Sequence, residues 1–241
     1  MKGSACSCAS ATEAGSPDVD RGTHASPPIT QADGLPSPGG RVSRNAPVPT
    51  AEWLRARLGS TAIVGDIHEP GVGAGLRDAA VLVPLVARDE GLHVLLTQRT
   101  DHLHHHPGQI SFPGGRVEAD DASDVDAALR ETEEEIGLAR HHIDVIGKLP
   151  RYHTVTGFAI SPVVGLVTPP FELALDDFEV AEVFEVPLAF LVDPANRETH
   201  SIEYGGELRT YFAMPWQGRF IWGATAGMLV SLAELLSGGT R

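Results

Sequence analysis

The 241-residue chain predicts an α/β sandwich. Short runs of apolar and β-branched residues interleave with a few stretches of helical spacing, and no segment repeats. The length suits one domain with appendages.

Residues 1–49 are rich in Ser, Ala, Pro and Gly and poor in large apolar groups. They cannot bury enough surface to offset ordering entropy, so they are expected to form a disordered tail, or to reflect a start site set too far upstream. Residues 50–76 are expected to be a helix and a loop. Thr50 caps the helix AEWLRARL, and Gly59 ends it. AAVLVPLVAR and LHVLLTQR read as strands joined through Asp89-Glu90-Gly91. Pro84 within the first points to an edge strand or a bulge. Ser123 caps the next helix, with Asp126 three residues on, and Gly137 stops it. IDVIGKLP, FAISPVVGLV and VAEVFEVPL follow as strands, PLAFLVD as a short helix, and THSIEYGG with LRTYFAMPW as a hairpin. ATAGMLVSLAELLSG closes the chain as an apolar helix.

The formal charge of −14 argues against a nonspecific nucleic-acid binder. An acidic protein that takes a polyanion needs metal ions and a few cations at the site, for which Arg99, Arg116 and Arg151 are candidates. Cys6 and Cys8 are the two cysteines, both in the tail, so no disulfide framework braces the domain. This agrees with a cytoplasmic location. Neither a secretory signal nor a run long enough to span a membrane is seen, so no membrane partner is expected.

The chemistry concentrates in residues 112–138, FPGGRVEADDASDVDAALRETEEEIGL. Glu131, Glu134 and Glu135 sit at helical spacings i, i+3 and i+4, on one face. Like charges stacked this way destabilise an isolated helix, and a hard divalent cation takes such oxygen ligands. Glu133 points elsewhere. Arg130 reaches Glu134 at i+4 and is a candidate orienter of the carboxylates. Gly114 and Gly115 offer bare backbone to a metal or phosphate.

This stretch resembles the Nudix box, Gly-x5-Glu-x7-Arg-Glu-U-x-Glu-Glu-x-Gly-U, where U is bulky and apolar. Gly115, Arg130, Glu131, Glu134, Glu135, Gly137 and Leu138 match. Asp121 stands where the box has its early Glu, eight residues rather than seven then precede Arg130, and Thr132 occupies the first U. Residues 95–115, LLTQRTDHLHHHPGQISFPGG, resemble the signature of the coenzyme A pyrophosphatase branch, LLT-x-R-[SA]-x3-R-x3-G-x3-FPGG. Leu95, Leu96, Thr97, Arg99, Gly108 and Phe112 to Gly115 match; Thr100 replaces Ser or Ala, and His104 replaces the second Arg.

The resemblance implies a Nudix fold, an α/β/α sandwich with a mixed central sheet, over residues 77–237. It implies a Mg²⁺- or Mn²⁺-dependent pyrophosphatase acting on coenzyme A or its thioesters. Glu131, Glu134, Glu135 and the Gly115 backbone would hold the metal, and Glu134 and Arg130 would serve catalysis. Arg99, His104, Gly108, Phe112, Gly114 and Arg116 would meet substrate. Asp121 and Glu179 are further candidates, with Glu182 weighed beside Glu179 as an outlying acid or a strand-edge charge. The general base is open between Glu134 and a downstream acid. Oligomeric state, including a homodimer, is open.

Other signals point less far. His102 and His104 to His106 form a cluster, but adjacent histidines rarely close one metal site. Trp216 and Trp222 read as core rather than as a stacking platform. No Gly-x-Ser-x-Gly elbow and no Walker A sequence occurs. The rivals are a general Nudix hydrolase of ADP-ribose or related nucleoside diphosphates, and a non-catalytic Nudix-fold binding module.

Overall fold

The computed structural model describes residues 50–60, 65–103, 106–204 and 206–237. The tail with Cys6 and Cys8, and His104 with His105, lie outside the described residues. The described part begins with α1 (Ala51–Ser60), β1 (Ile67–His68), β2 (Arg77–Arg88), β3 (Gly91–Arg99), β4 (Ile110–Ser111) and β5 (Gly114–Arg116). Next come α2 (Asp124–Ile136), β6 (Ile143–Lys148), β7 (Tyr152–His153), β8 (Phe158–Val167), β9 (Val180–Pro187) and α3 (Leu188–Val192). The last elements are β10 (Glu198–Tyr204), β11 (Glu207–Trp216), β12 (Arg219–Trp222) and α4 (Gly223–Ser237).

Among the described residues, nine strands form one sheet along the path β1-β7-β8-β2-β3-β4, with β5 on β2, β6 on β8 and β9 on β3. The pairs β2/β8 and β1/β7 are parallel and the rest of that sheet is antiparallel, so the sheet is mixed. A separate three-stranded sheet, β10-β11-β12, follows. Alternate residues of β2 serve opposite layers, as strand geometry requires. Val81, Val83 and Leu85 enter a core that also takes Leu54 of α1 and Met228, Leu229 and Leu232 of α4. Ala80 and Leu82 pack on Ala127 and Ala128 of α2. Helices thus cover both faces, and no helix among the described residues is long and apolar enough to cross a membrane.

The expected elements are present, and the structure adds the short strands β1, β4, β5 and β7, the first of them in the segment expected to be a loop. Thr50 does cap α1, its Oγ1 accepting from Trp53 N–H at 3.1 Å, but the helix continues past Gly59 to Ser60. β12 forms a third strand beside the expected hairpin. Pro84 lies in a central strand, neither at an edge nor in a bulge, opposite Gly165 of β8. Its missing donor falls at a seam. On that side of β2, β5 pairs with Ala79 to Val81, Leu82 N–H reaches Pro113 O at 2.9 Å, and β3 takes over from Leu85. Backbone alternation aims the Pro84 nitrogen into the gap, where no ladder bond is lost.

Candidate active site

Helix α2 begins and ends as the sequence requires. Ser123 Oγ accepts from Asp126 N–H at 3.2 Å, a cap worth about 1 kcal/mol. Gly137 closes the helix in the left-handed region at φ 67°, where a side chain would also meet Ala174. Two of the helix's last carbonyls find partners in the following loop: Ala174 N–H donates to Ile136 O and Asp176 N–H to Glu135 O, both at 2.9 Å. Thr132, at the apolar box position, is fully buried and returns its hydroxyl to Ala128 O at 2.6 Å.

The carboxylates share a helix face but not an environment. The Glu135 side chain is 7% exposed and that of Glu134 is 60% exposed. Glu135 Oε2 accepts from Gly114 N–H at 3.1 Å, and Arg99 lies 3.9 Å from its other oxygen. Burial pushes the Glu135 carboxyl up to about 8, against the pull of the Gly114 N–H and Arg99. Burial also raises Glu131, opposed by Arg130. Glu133 points away, as expected, and lies 3.4 Å from Arg140.

Arg130 organises the cluster. Its Nε and one terminal nitrogen each bond Asp121 at 3.0 Å, a bidentate clasp. The other terminal nitrogen reaches Glu131 and Glu134, both at 3.0 Å, and a fifth bond goes to Arg116 O at 3.2 Å. The Arg130 clasp and the Glu118 N–H hold Asp121 down at about 2. Asp121 therefore occupies the early-acid position as the anchor of Arg130, and its Oδ2 also accepts from Glu118 N–H at 2.8 Å.

A divalent cation is the group such a box implies, and the residues fit one. The donors are hard carboxylate oxygens, two of them held partly or fully out of water. The backbone at Gly115 lies directly against Glu131: a Cβ there would sit 2.4 Å from the carboxylate. In this structure Glu131 and Glu134 turn toward Arg130, and the three box carboxylates do not close within 4.8 Å of one another.

The other site residues divide. Arg99 borders the carboxylates, whereas Arg116 is exposed, its guanidinium 5.9 Å from the Phe158 ring centre. Gly108 takes a left-handed turn at φ 65° beyond β3, and Phe112 is buried in the core. Glu179 lies within electrostatic reach of both Glu131 and Glu135, raising each. Glu182 pairs with Arg219, and Arg151 pairs with Asp78. Trp216 packs on Phe190 at 4.4 Å between ring centres.

Two contributors were not foreseen. Thr100 N–H donates to Glu179 O at 3.0 Å and its hydroxyl donates to Phe178 O at 2.7 Å, tying the Glu179 loop to the end of β3. Arg77 stacks over the same Phe158 ring as Arg116, at 4.2 Å. The Thr-for-Ser/Ala exchange in the signature was the signal for the first; nothing local marks the second.

The NUDIX domain family model matches residues 76–203. The chain belongs to the Nudix family. It is 42% identical over 158 residues to the "Uncharacterized Nudix hydrolase NudL" of Enterobacter sp. (strain 638), covering 65% of this chain and 81% of that protein. The protein of the same name from Escherichia coli (strain K12) matches with the same identity and coverage. Among solved structures, a C. elegans Ap4A hydrolase binary complex aligns with a TM-score of 0.40 at 20% identity, covering 47% of this chain and 81% of that one. That overlap adds nothing to the assignment. The mixed sheet with helices on both faces is the Nudix α/β fold, and the enzyme class is Nudix hydrolase.

Proposed function

We propose that this Nudix hydrolase cleaves the diphosphate of coenzyme A or its thioesters, with Mg²⁺ or Mn²⁺, to 3′,5′-ADP and 4′-phosphopantetheine or its acyl form. The observation that carries the reading is the 95–115 signature. It runs through β3 and β4 and ends on the Gly114-Gly115 turn against Glu135 and Glu131. A divalent ion held by Glu131, Glu134, Glu135 and the Gly115 backbone would neutralise the diphosphate and acidify a bound water. The protein's own groups do the rest. Asp121 fixes Arg130, and Arg130 positions Glu131 and Glu134. Glu134, the exposed carboxylate, takes the proton as water attacks phosphorus and the anhydride P–O bond breaks; Glu179 is the other acid in reach. Arg99 and Arg116 meet phosphate charge.

The test is turnover of the purified protein with Mg²⁺ or Mn²⁺ on coenzyme A, ADP-ribose, NADH and nucleoside triphosphates. Coenzyme A is expected to show the highest kcat/KM. Preference for ADP-ribose would move the reading to a general nucleoside diphosphate hydrolase, and no turnover on any would favour a binding module. His104 stands where the signature has Arg. His104→Arg is expected to lower KM for coenzyme A, most at alkaline pH, because His is largely neutral above about 6.5 while Arg stays charged.

A further inference from the structure

Far from the box helix, β1 runs parallel to β7 with Ile67 opposite Tyr152 and His68 opposite His153. Ile67 and Tyr152 turn into the core. Strand alternation sends the two histidines to the other face, and Asp66, two residues before His68, follows them. The ladder bonds Ile67 N–H to Arg151 O (2.8 Å) and Glu69 N–H to His153 O (2.9 Å) fix this register.

The three side chains converge. The His68 and His153 rings lie 4.2 Å apart, edge to face. His153 Nε2 is 3.2 Å from Asp66 Oδ2 but off the line a hydrogen bond needs, and it is a buried nitrogen with no hydrogen-bond partner. One ligand atom from each of the three lies within 4.8 Å of the others, and among the described residues this is the trio that does so. Glu69, next in the chain, is turned away to accept from Val155 N–H at 2.8 Å. His68 and Asp66 are exposed, so one side opens to solvent.

We propose that Asp66, His68 and His153 form a zinc-class metal site, separate from the Nudix centre. Two imidazoles and one carboxylate are the donor set of a borderline ion rather than of Mg²⁺, and three protein ligands leave a fourth position for water. Bonds of about 2.0–2.2 Å at a tetrahedral angle place neighbouring ligand atoms roughly 3.3–3.6 Å apart. The Asp66–His153 separation of 3.2 Å is already close to that. Counting across β1, β7, β8, β2 and β5 along the row Ile67–Tyr152–Ile160–Ala79–Arg116, the site is four strand spacings, roughly 19 Å, from the glycine turn. A bound ion would clamp the two-residue edge strand β1, and with it the N-terminal segment, onto the sheet.

The test is calorimetric titration of Zn²⁺ into the full chain after chelator treatment and dialysis, with Tm and Co²⁺ visible spectra beside it. Cys6→Ser/Cys8→Ser in the full chain removes the tail thiols as competing ligands. One Zn²⁺ per chain at micromolar affinity or tighter, a raised Tm and the d–d bands of tetrahedral Co²⁺ are expected. His68→Ala and Asp66→Asn, both at exposed positions, should each weaken binding by at least about tenfold. Glu131→Gln should leave it in place. Binding untouched by His68→Ala and Asp66→Asn, or absent from the wild-type chain, would overturn the proposal.

Discussion

Helix α2 and the β1/β7 edge both gather metal-ligating side chains, and they do so by opposite means. On α2 the candidate ligands are all carboxylates, and the protein supplies Arg130 among them. At the sheet edge the candidate ligands are two imidazoles and one carboxylate, which need no permanent cation to sit together. The helix stacks charge by sequence spacing alone, whereas the edge assembles it by strand register between residues 85 positions apart. The contrast teaches what each kind of site asks of the chain. A carboxylate cluster must be held against its own repulsion, and a histidine cluster must only be aligned.

Removing a buried carboxylate breaks the comparison most severely. Glu135→Gln is expected to lower kcat by on the order of a hundredfold or more while the protein stays folded, since Gln can still accept from Gly114 N–H. Steady-state kinetics with circular dichroism check this; near-normal kcat would remove Glu135 from the site. The internal cation comes next. Asp121→Ala frees Arg130 from its clasp and should cost roughly tenfold to a hundredfold in kcat, with Asp121→Asn milder, because it acts only through a neighbour.

A smaller effect separates the two sites by pH. Glu135 moves from an ordinary 4.5 to about 8 on folding. Between those values the folded protein holds a proton that the unfolded chain has released. Its contribution to stability is full below about 4.5 and is lost as pH rises through about 8. Without divalent ions, Tm should fall across this window, and the fall should be reduced in Glu135→Gln. Mg²⁺ or Mn²⁺ should restore Tm at the alkaline end, since a bound ion offsets the buried charge that remains once the proton has left. Equal slopes in both proteins would show that Glu135 is not the group. The smallest expected effect is the sharpest for independence: His68→Ala should leave kcat with Mg²⁺ within about twofold, as an exposed substitution roughly 19 Å from the glycine turn should.

The local parts of this molecule could be read from sequence. Ser123, Gly137 and the acid spacing specify α2 and its face from neighbours a few residues away. The burial difference between Glu134 and Glu135 could not be read that way, because β5 and its Gly114 N–H create it from across the fold. Pro84 was misread for the same reason: the seam that accommodates it depends on where β5 ends and β3 begins. Thr100 and the 174–176 loop are visible only once β3 and the end of α2 are side by side, and together they carry Glu179 to the carboxylates. The Asp66, His68 and His153 trio depends on a pairing of two-residue strands, too short to announce itself by pattern.

The guanidinium of Arg130 has five N–H groups, and the five bonds to Asp121, Glu131, Glu134 and Arg116 O engage all of them. It is saturated. An arginine in this state cannot reach for a phosphate without giving up one of these acceptors, four of which are carboxylate oxygens, so it acts as a keystone rather than a finger. On the proposed function, substrate charge is left to Arg99, Arg116 and a bound ion. Lysine, with three donors and no planar fork, could not take its place even though the charge is the same.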